Sequence, residues 1–221
     1  MTRVVLRLRQ HAGWHAGREE RGTIAPLVVM SALLLLAVLA FAVDQGIACA
    51  VKVRQENALD AARDACMAPS FALVAKNEGN PGHVVACRFV QVLREEGVEG
   101  SVSVWFYEAP REDVPPSRRV WGIGVQVQEA SPTIFSQGFG IASLPVASKR
   151  VVVAEPFADE VTWRPDIDSG NGRYEWDAAG TVEAPTFFGF AELSEFPDEV
   201  EDAVSTAVSA VTSGQKRKER A

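Results

Sequence analysis

The side chains of this 221-residue chain that could do chemistry are few and scattered. Its histidines are His11, His15 and His83, and its cysteines are Cys49, Cys66 and Cys87. No two cysteines form a C-x-x-C pair, and only His83 accompanies them outside the N-terminal segment, so the donor set of a zinc site is missing. Cys66 and Cys87 could form a disulfide if this part of the chain lies outside the cytoplasm; two small buried thiols are the alternative. The stretch RPDIDSGNGRYEWD gathers Asp166, Asp168, Asn171, Glu175 and Asp177 around two glycines, which invites a calcium-loop reading. The spacing fails. With Asp166 as first ligand, Gly170 stands where an oxygen ligand belongs and Asn171 where glycine is required. A solvated acidic turn is the default. Gly122-Ile123-Gly124 lacks the third glycine and the following helix of a nucleotide loop. G-x-S-x-G, H-E-x-x-H and P-loop patterns are absent. No catalytic residue, metal or cofactor is assigned, and the chain is expected not to be an enzyme.

Charge is unevenly placed around a net −7, which argues against a nucleic-acid partner, since that needs a basic face. Residues 155–202 hold fourteen Asp and Glu against Arg164 and Arg173, whereas the first 21 residues and the last six are basic. Such segregation points to separate segments or environments.

What must position these groups begins with an apolar run. Gly22 to Val43 carries no charge over 22 positions. A bilayer core needs about 20 such residues in a helix, and a signal-peptide core about 7 to 15. Length favours a retained membrane span. Arg3, Arg7, Arg9, Arg18 and Arg21 precede it, and Lys52, Arg54 and Arg63 follow over a similar distance, which places the N-terminus in the cytoplasm and the rest outside. The rival is a signal peptide cut after Ala42, in Ala40-Phe41-Ala42. Asp44 is expected to mark the end of the hydrocarbon region, where a carboxylate meets water and headgroups.

The helical pattern continues past Asp44. No proline and no further glycine stands between Gly46 and Met67. Ile47, Ala50, Val51, Ala58, Leu59, Ala62, Ala65 and Cys66 trace an apolar stripe, with Lys52, Arg54, Gln55, Glu56, Asp60 and Arg63 as polar filling. One helix is expected from about Ile24 to Met67, roughly 65 Å long, broken at Ala68–Ser70.

These residues carry a resemblance. RGTIAPLVVM…AVDQG…RQENALDAARDA resembles the N-terminal region of the TadE/TadG-like pilus-assembly proteins. The matching positions are Arg21-Gly22 before the span, Asp44-Gln45-Gly46 at its end, and NALDAA, with Leu59 and Asp60, about fifteen residues on. A second stretch, IFSQGFGIASLPVASKRVVV from Ile134 to Val153, resembles the family's Phe-x-x-x-x-Gly-Ile segment and terminal strand. The resemblance implies a membrane-anchored, minor-pilin-like component of the tight-adherence (Flp) pilus machinery. Its partners would be the lipid bilayer and other pilin or pilus-assembly subunits, met through the apolar helix. Processed pseudopilins carry Glu five residues after the cleavage glycine; counting from Gly22, Leu27 stands there, as in the uncleaved, TadG-like branch.

Beyond the stalk, residues 82–97 read as a short helix with Val85, Phe89, Val92 and Leu93 on one face, stopped by Gly97. Val102, Val104 and Phe106 alternate as one strand, and Trp121, Ile123, Val125 and Val127 as another, with Gly122 and Gly124 on a face open to close approach by another backbone. A third strand is expected from about Val146 to Ala154. The proline-rich residues 108–119 read as an exposed connection. The expected class is α+β: a transmembrane helix continuing as a long exterior helix, packed on a small antiparallel sheet in a pilin-like manner. Four segments follow: a cytoplasmic tail at 1–21, the span at 22–43, an exterior helix and domain at 44–155, and an acidic extension at 156–221. In the extension, Trp163, Tyr174, Trp176, Phe187, Phe188 and Phe190 suggest a small packed subregion. Val200, Val204, Ala207, Val208 and Val211 stripe a helix of about 16 residues, started at Pro197 and stopped at Gly214, docking on its own domain or on a partner. The functional alternatives to a pilus component are a membrane-tethered ligand-binding or sensor module, and a secreted protein cleaved after Ala42.

Overall fold

A computed structural model describes residues 24–115, 118–154, 169–180 and 184–218, with 215–218 described by their backbone alone. Arg21, Gly22, Trp163, Asp166 and Asp168 lie outside the described residues.

Helix α1 runs unbroken over Ile24–Met67, 44 residues, as the uninterrupted helical pattern predicts. It ends because Pro69 disfavours helical backbone at Ala68, which is extended at φ −58°, ψ 130°. Pro69 then opens a short helix that the sequence reading did not anticipate, α2 (Pro69–Asn77). Helix α3 (Pro81–Glu95) starts at Asn80, whose side chain accepts the His83 N–H at 2.8 Å. Gly97 ends that region in the left-handed conformation, φ 74°.

The two halves of α1 differ in surroundings. Its N-terminal half is exposed, with a mean hydropathy of 2.7 over its best window, and is long and apolar enough to cross a membrane. From Asp44 onward one face is buried: Asp44, Gln55, Ala58, Leu59, Ala62 and Cys66.

That face meets a five-stranded antiparallel sheet made of β1 (Ser101–Glu108), β2 (Trp121–Pro132), β3 (Ser143–Ala154), β4 (Gly172–Asp177) and β5 (Thr186–Gly189), in the order β3-β2-β1-β4-β5. The class is α+β, and both alternations read from sequence hold. Val102, Val104, Phe106, Ile123, Val125 and Val127 pack with Leu59 and Ala62 of α1 and with Phe89 and Leu93 of α3.

Three expectations fail, the first two because a distant segment supplies a partner. The boundary at 155/156 does not separate two units: β4 pairs with β1, Val104 opposite Tyr174, and Tyr174 and Trp176 join the main core. The connection 108–119 is not simply exposed. Glu108 and Arg119 form a buried ion pair, Arg119 also donates to the Lys76 carbonyl at 3.0 Å, and Val114 is buried. The last helix, α4 (Asp198–Lys218), passes through Gly214. A helical glycine costs only about 1 kcal/mol, and Gly214 takes no left-handed turn.

Helix α4 docks on its own sheet. Val200 and Val204 fill the space above Gly124 and Gly122; a Cβ on Gly122 would stand 2.1 Å from Val204 Cγ2, and one on Gly124 2.6 Å from Val200 Cγ2. The close approach is by valine side chains, not by another backbone. Gly122→Ala is expected to lift the start of α4 from the sheet, at about 1–3 kcal/mol, the usual range for overpacking. Limited proteolysis checks it: cleavage within 198–214 should become faster in the variant.

Candidate functional site

Midway along α1, where the exposed apolar half gives way to the buried half, lies a carboxylate clasp. Asp44 Oδ1 accepts the N–H groups of Ile134 at 2.8 Å and Phe135 at 3.2 Å, and Oδ2 accepts those of Phe135 at 3.2 Å and Ser136 at 2.6 Å. The three donors are consecutive and lead into a single 3-10 turn, Ser136–Phe139, at the tip of the β2–β3 hairpin. Asp44 has no exposed surface. It was expected to meet water and headgroups; instead the hairpin tip covers it. The correction has a simple cause: three backbone N–H groups do for the carboxylate what water would do, and the clasp satisfies donors at the start of the 3-10 turn that have no partner within it.

The same contacts set its acidity. Burial works to raise the pKa, but hydrogen bonds from the Ser136 hydroxyl and from the N–H groups of Ile134, Ser136 and Phe135 outweigh it, bringing the carboxyl down to about 2 from 3.8. Because the folded value lies below the unfolded one, the clasp contributes fully above pH ~4 and is lost as pH falls through about 2. For protein solubilised out of the bilayer in detergent, proteolysis at the hairpin tip is therefore expected to be constant from neutral pH down to about 4 and to accelerate below that, when followed with an acid-active protease.

Three turns further along α1, Glu129 makes a second joint. It accepts Gln55 Nε2 at 2.6 Å, Arg54 at 3.0 Å and the Glu99 N–H at 2.6 Å. Gln55 is fully buried, not polar filling. A signal for this was present: the period-two alternation of β2 runs beyond Val127 through Glu129, Ser131 and Thr133, all of them buried. The inward face of β2 thus changes from apolar to polar as it approaches Asp44.

The other predicted positions disperse. Leu59 is core, and Asp60 pairs with Arg150 at 2.7 Å and Arg63 at 3.4 Å. Gly46 is exposed and a Cβ there would meet nothing within the chain. Cys66 and Cys87 are not joined: both thiols are free, Cys66 buried and Cys87 exposed. Ala86, not Cys87, turns toward the core, so Cys87 sits on the outside of α3, 3.5 Å from His83 Nε2. Cys66 is buried, and that burial, only partly offset by the charge of Arg88, pushes its thiol up to about 12. Asn171 brackets the Glu108 backbone, accepting its N–H at 2.9 Å and donating to its carbonyl at 3.3 Å. Glu175 pairs with Arg173 at 3.0 Å. Among the described residues no cluster of His, Cys, Asp and Glu could hold a metal ion.

The arrangement is mechanical. Two acidic residues, one on the helix and one on the sheet, bind a folded head to the middle of a helix whose other half is bare and apolar. Comparison with protein-family models, with curated proteins and with solved structures gives no match.

Proposed function

We propose that this chain is a single-pass, membrane-anchored structural component of a tight-adherence type pilus assembly, with the N-terminus cytoplasmic and the α+β head outside. One observation carries the reading. Asp44, from the first stretch of the TadE/TadG-like resemblance, holds the backbone of Ile134 to Ser136, where the second stretch begins. Two segments that resemble the same family at a separation of 90 residues meet in one contact, so their co-occurrence has a structural reason. The exposed apolar half of α1 supports membrane anchoring, and the greater number of arginines before it supports the orientation. The rigid joint supports a role in which the head is held in fixed register to the span and to neighbouring apolar helices.

A clean deletion is expected to reduce surface pili and adherence, with restoration by the full chain expressed in trans and recovered in the membrane fraction. Normal piliation in the deletion would overturn the assignment. N-terminal sequencing of the mature protein tests the anchor separately, because a start at Val43 would remove it.

A further inference from the structure

The β2–β3 hairpin tip presents Ile134, Phe135, Phe139 and Ile141 outward, with Phe139 75% and Ile134 63% exposed. Residues 130–148 carry no charged side chain, and Glu129 and Lys149 flank them. Phe135 and Phe139 lie beside Leu36, Ala40 and Val43 of α1 and form one wall of an open apolar groove with them. Their surface is thus continuous with the apolar half of the helix. At about 1.5 Å per residue, Leu36 to Val43 makes up the last ~10 Å of the run before Asp44. If that run crosses a bilayer, the tip beside it lies at the same depth.

Most of the tip's backbone N–H groups are satisfied within the chain. Non-helical backbone in lipid must satisfy its polar groups internally. Here Asp44 takes the N–H groups of Ile134, Phe135 and Ser136. Thr133 N–H binds the Ala142 carbonyl at 3.1 Å, Gly138 that of Phe135 at 3.2 Å, Gly140 that of Gln137 at 3.0 Å, and Ile141 that of Ser136 at 3.1 Å. Gly140, at φ 84°, makes the closing turn that a side chain would strain. A water-facing loop does not need four large apolar side chains at its rim.

We propose that the hairpin tip is a second membrane-contacting element, inserted into the acyl-chain region of the leaflet that faces the head, with lipid as the occupant of the groove between Phe139 and Leu36–Val43. The tip then fixes the tilt and rotation of the head on the membrane, which one helix alone leaves free. The inference rests on α1 being a membrane span.

The test uses full-length protein with Cys49 and Cys87 replaced by serine, reconstituted in phosphatidylcholine–phosphatidylglycerol vesicles. An environment-sensitive fluorophore is placed through Phe139→Cys, Leu36→Cys or Glu96→Cys, and the chain without an added cysteine controls for labelling at buried Cys66. Phosphatidylcholine bearing a nitroxide on its acyl chain is the quencher. The expected result is quenching at 139 about as strong as at 36, with none at 96. Quenching at 36 alone, with a water-like emission at 139, overturns the inserted tip and leaves the span standing. A blue-shifted but unquenched probe at 139 also overturns it, by showing that protein, a second copy or another apolar helix, covers the tip. No quenching at either 36 or 139 overturns both the tip and the span.

Discussion

Asp44→Ala is expected to leave the helices and the sheet in place while releasing the hairpin tip. Amide exchange at Ile134, Phe135 and Ser136 should accelerate by roughly ten- to a hundredfold, the consequence of leaving buried donors without an acceptor. Exchange in the sheet core, at Val104 and Ile123, should change little, since those amides pair with neighbouring strands. Alanine is the severe change because it removes the acceptor and leaves three donors in place; Asp44→Asn keeps one carbonyl oxygen and should fall between the two. Hydrogen exchange on the full chain in detergent micelles measures all three proteins. Equal rates at residues 134–136 in wild type and Asp44→Ala would mean that the carboxylate does not hold the tip. On the proposed role in pilus assembly, the same variant should impair piliation in cells without loss of membrane association, because the apolar half of α1 is untouched.

Arg119→Met should destabilise the head by about 3–5 kcal/mol, the usual result of stripping the partner from a buried charge. The side chains of Glu108 and Arg119 are 2% and 4% exposed, so water cannot replace the lost guanidinium. The change also removes the donor to the Lys76 carbonyl, which ties the end of α2 to the sheet. A drop in melting temperature on the order of 10 °C is expected by near-UV circular dichroism. Replacing both members, Glu108→Leu with Arg119→Met, should recover much of the loss, because a pair of apolar groups carries no unpaired charge. If the double variant is less stable than the single one, the ion pair is not what makes Arg119 costly to lose.

Most elements of this protein were legible because they rest on local order. The 44-residue helix follows from an uninterrupted helical pattern ended by a proline, and α3 from one apolar face stopped by Gly97. Strands β1, β2 and β3 follow from alternation and aliphatic composition. The glycine pair on the outer face of β2 correctly marked a close approach, although its occupants are Val200 and Val204. Strands β4 and β5 were not foreseen. They are short and lie in an acidic segment whose charge reads as solvated, and only pairing, of β4 along β1 and of β5 along β4, makes them strands.

By itself, then, the sequence determined the apolar half-helix, its continuation as a stalk, and the alternating faces of the sheet, because periodicity is a property of neighbouring residues. Only the tertiary structure decided what Asp44 does. A carboxylate at the end of an apolar run has the same local surroundings whether it faces headgroups or a protein backbone. The groups that settle the matter, the N–H groups of Ile134, Phe135 and Ser136, lie about 90 residues away and carry no side-chain signature, since any residue but proline supplies a backbone N–H.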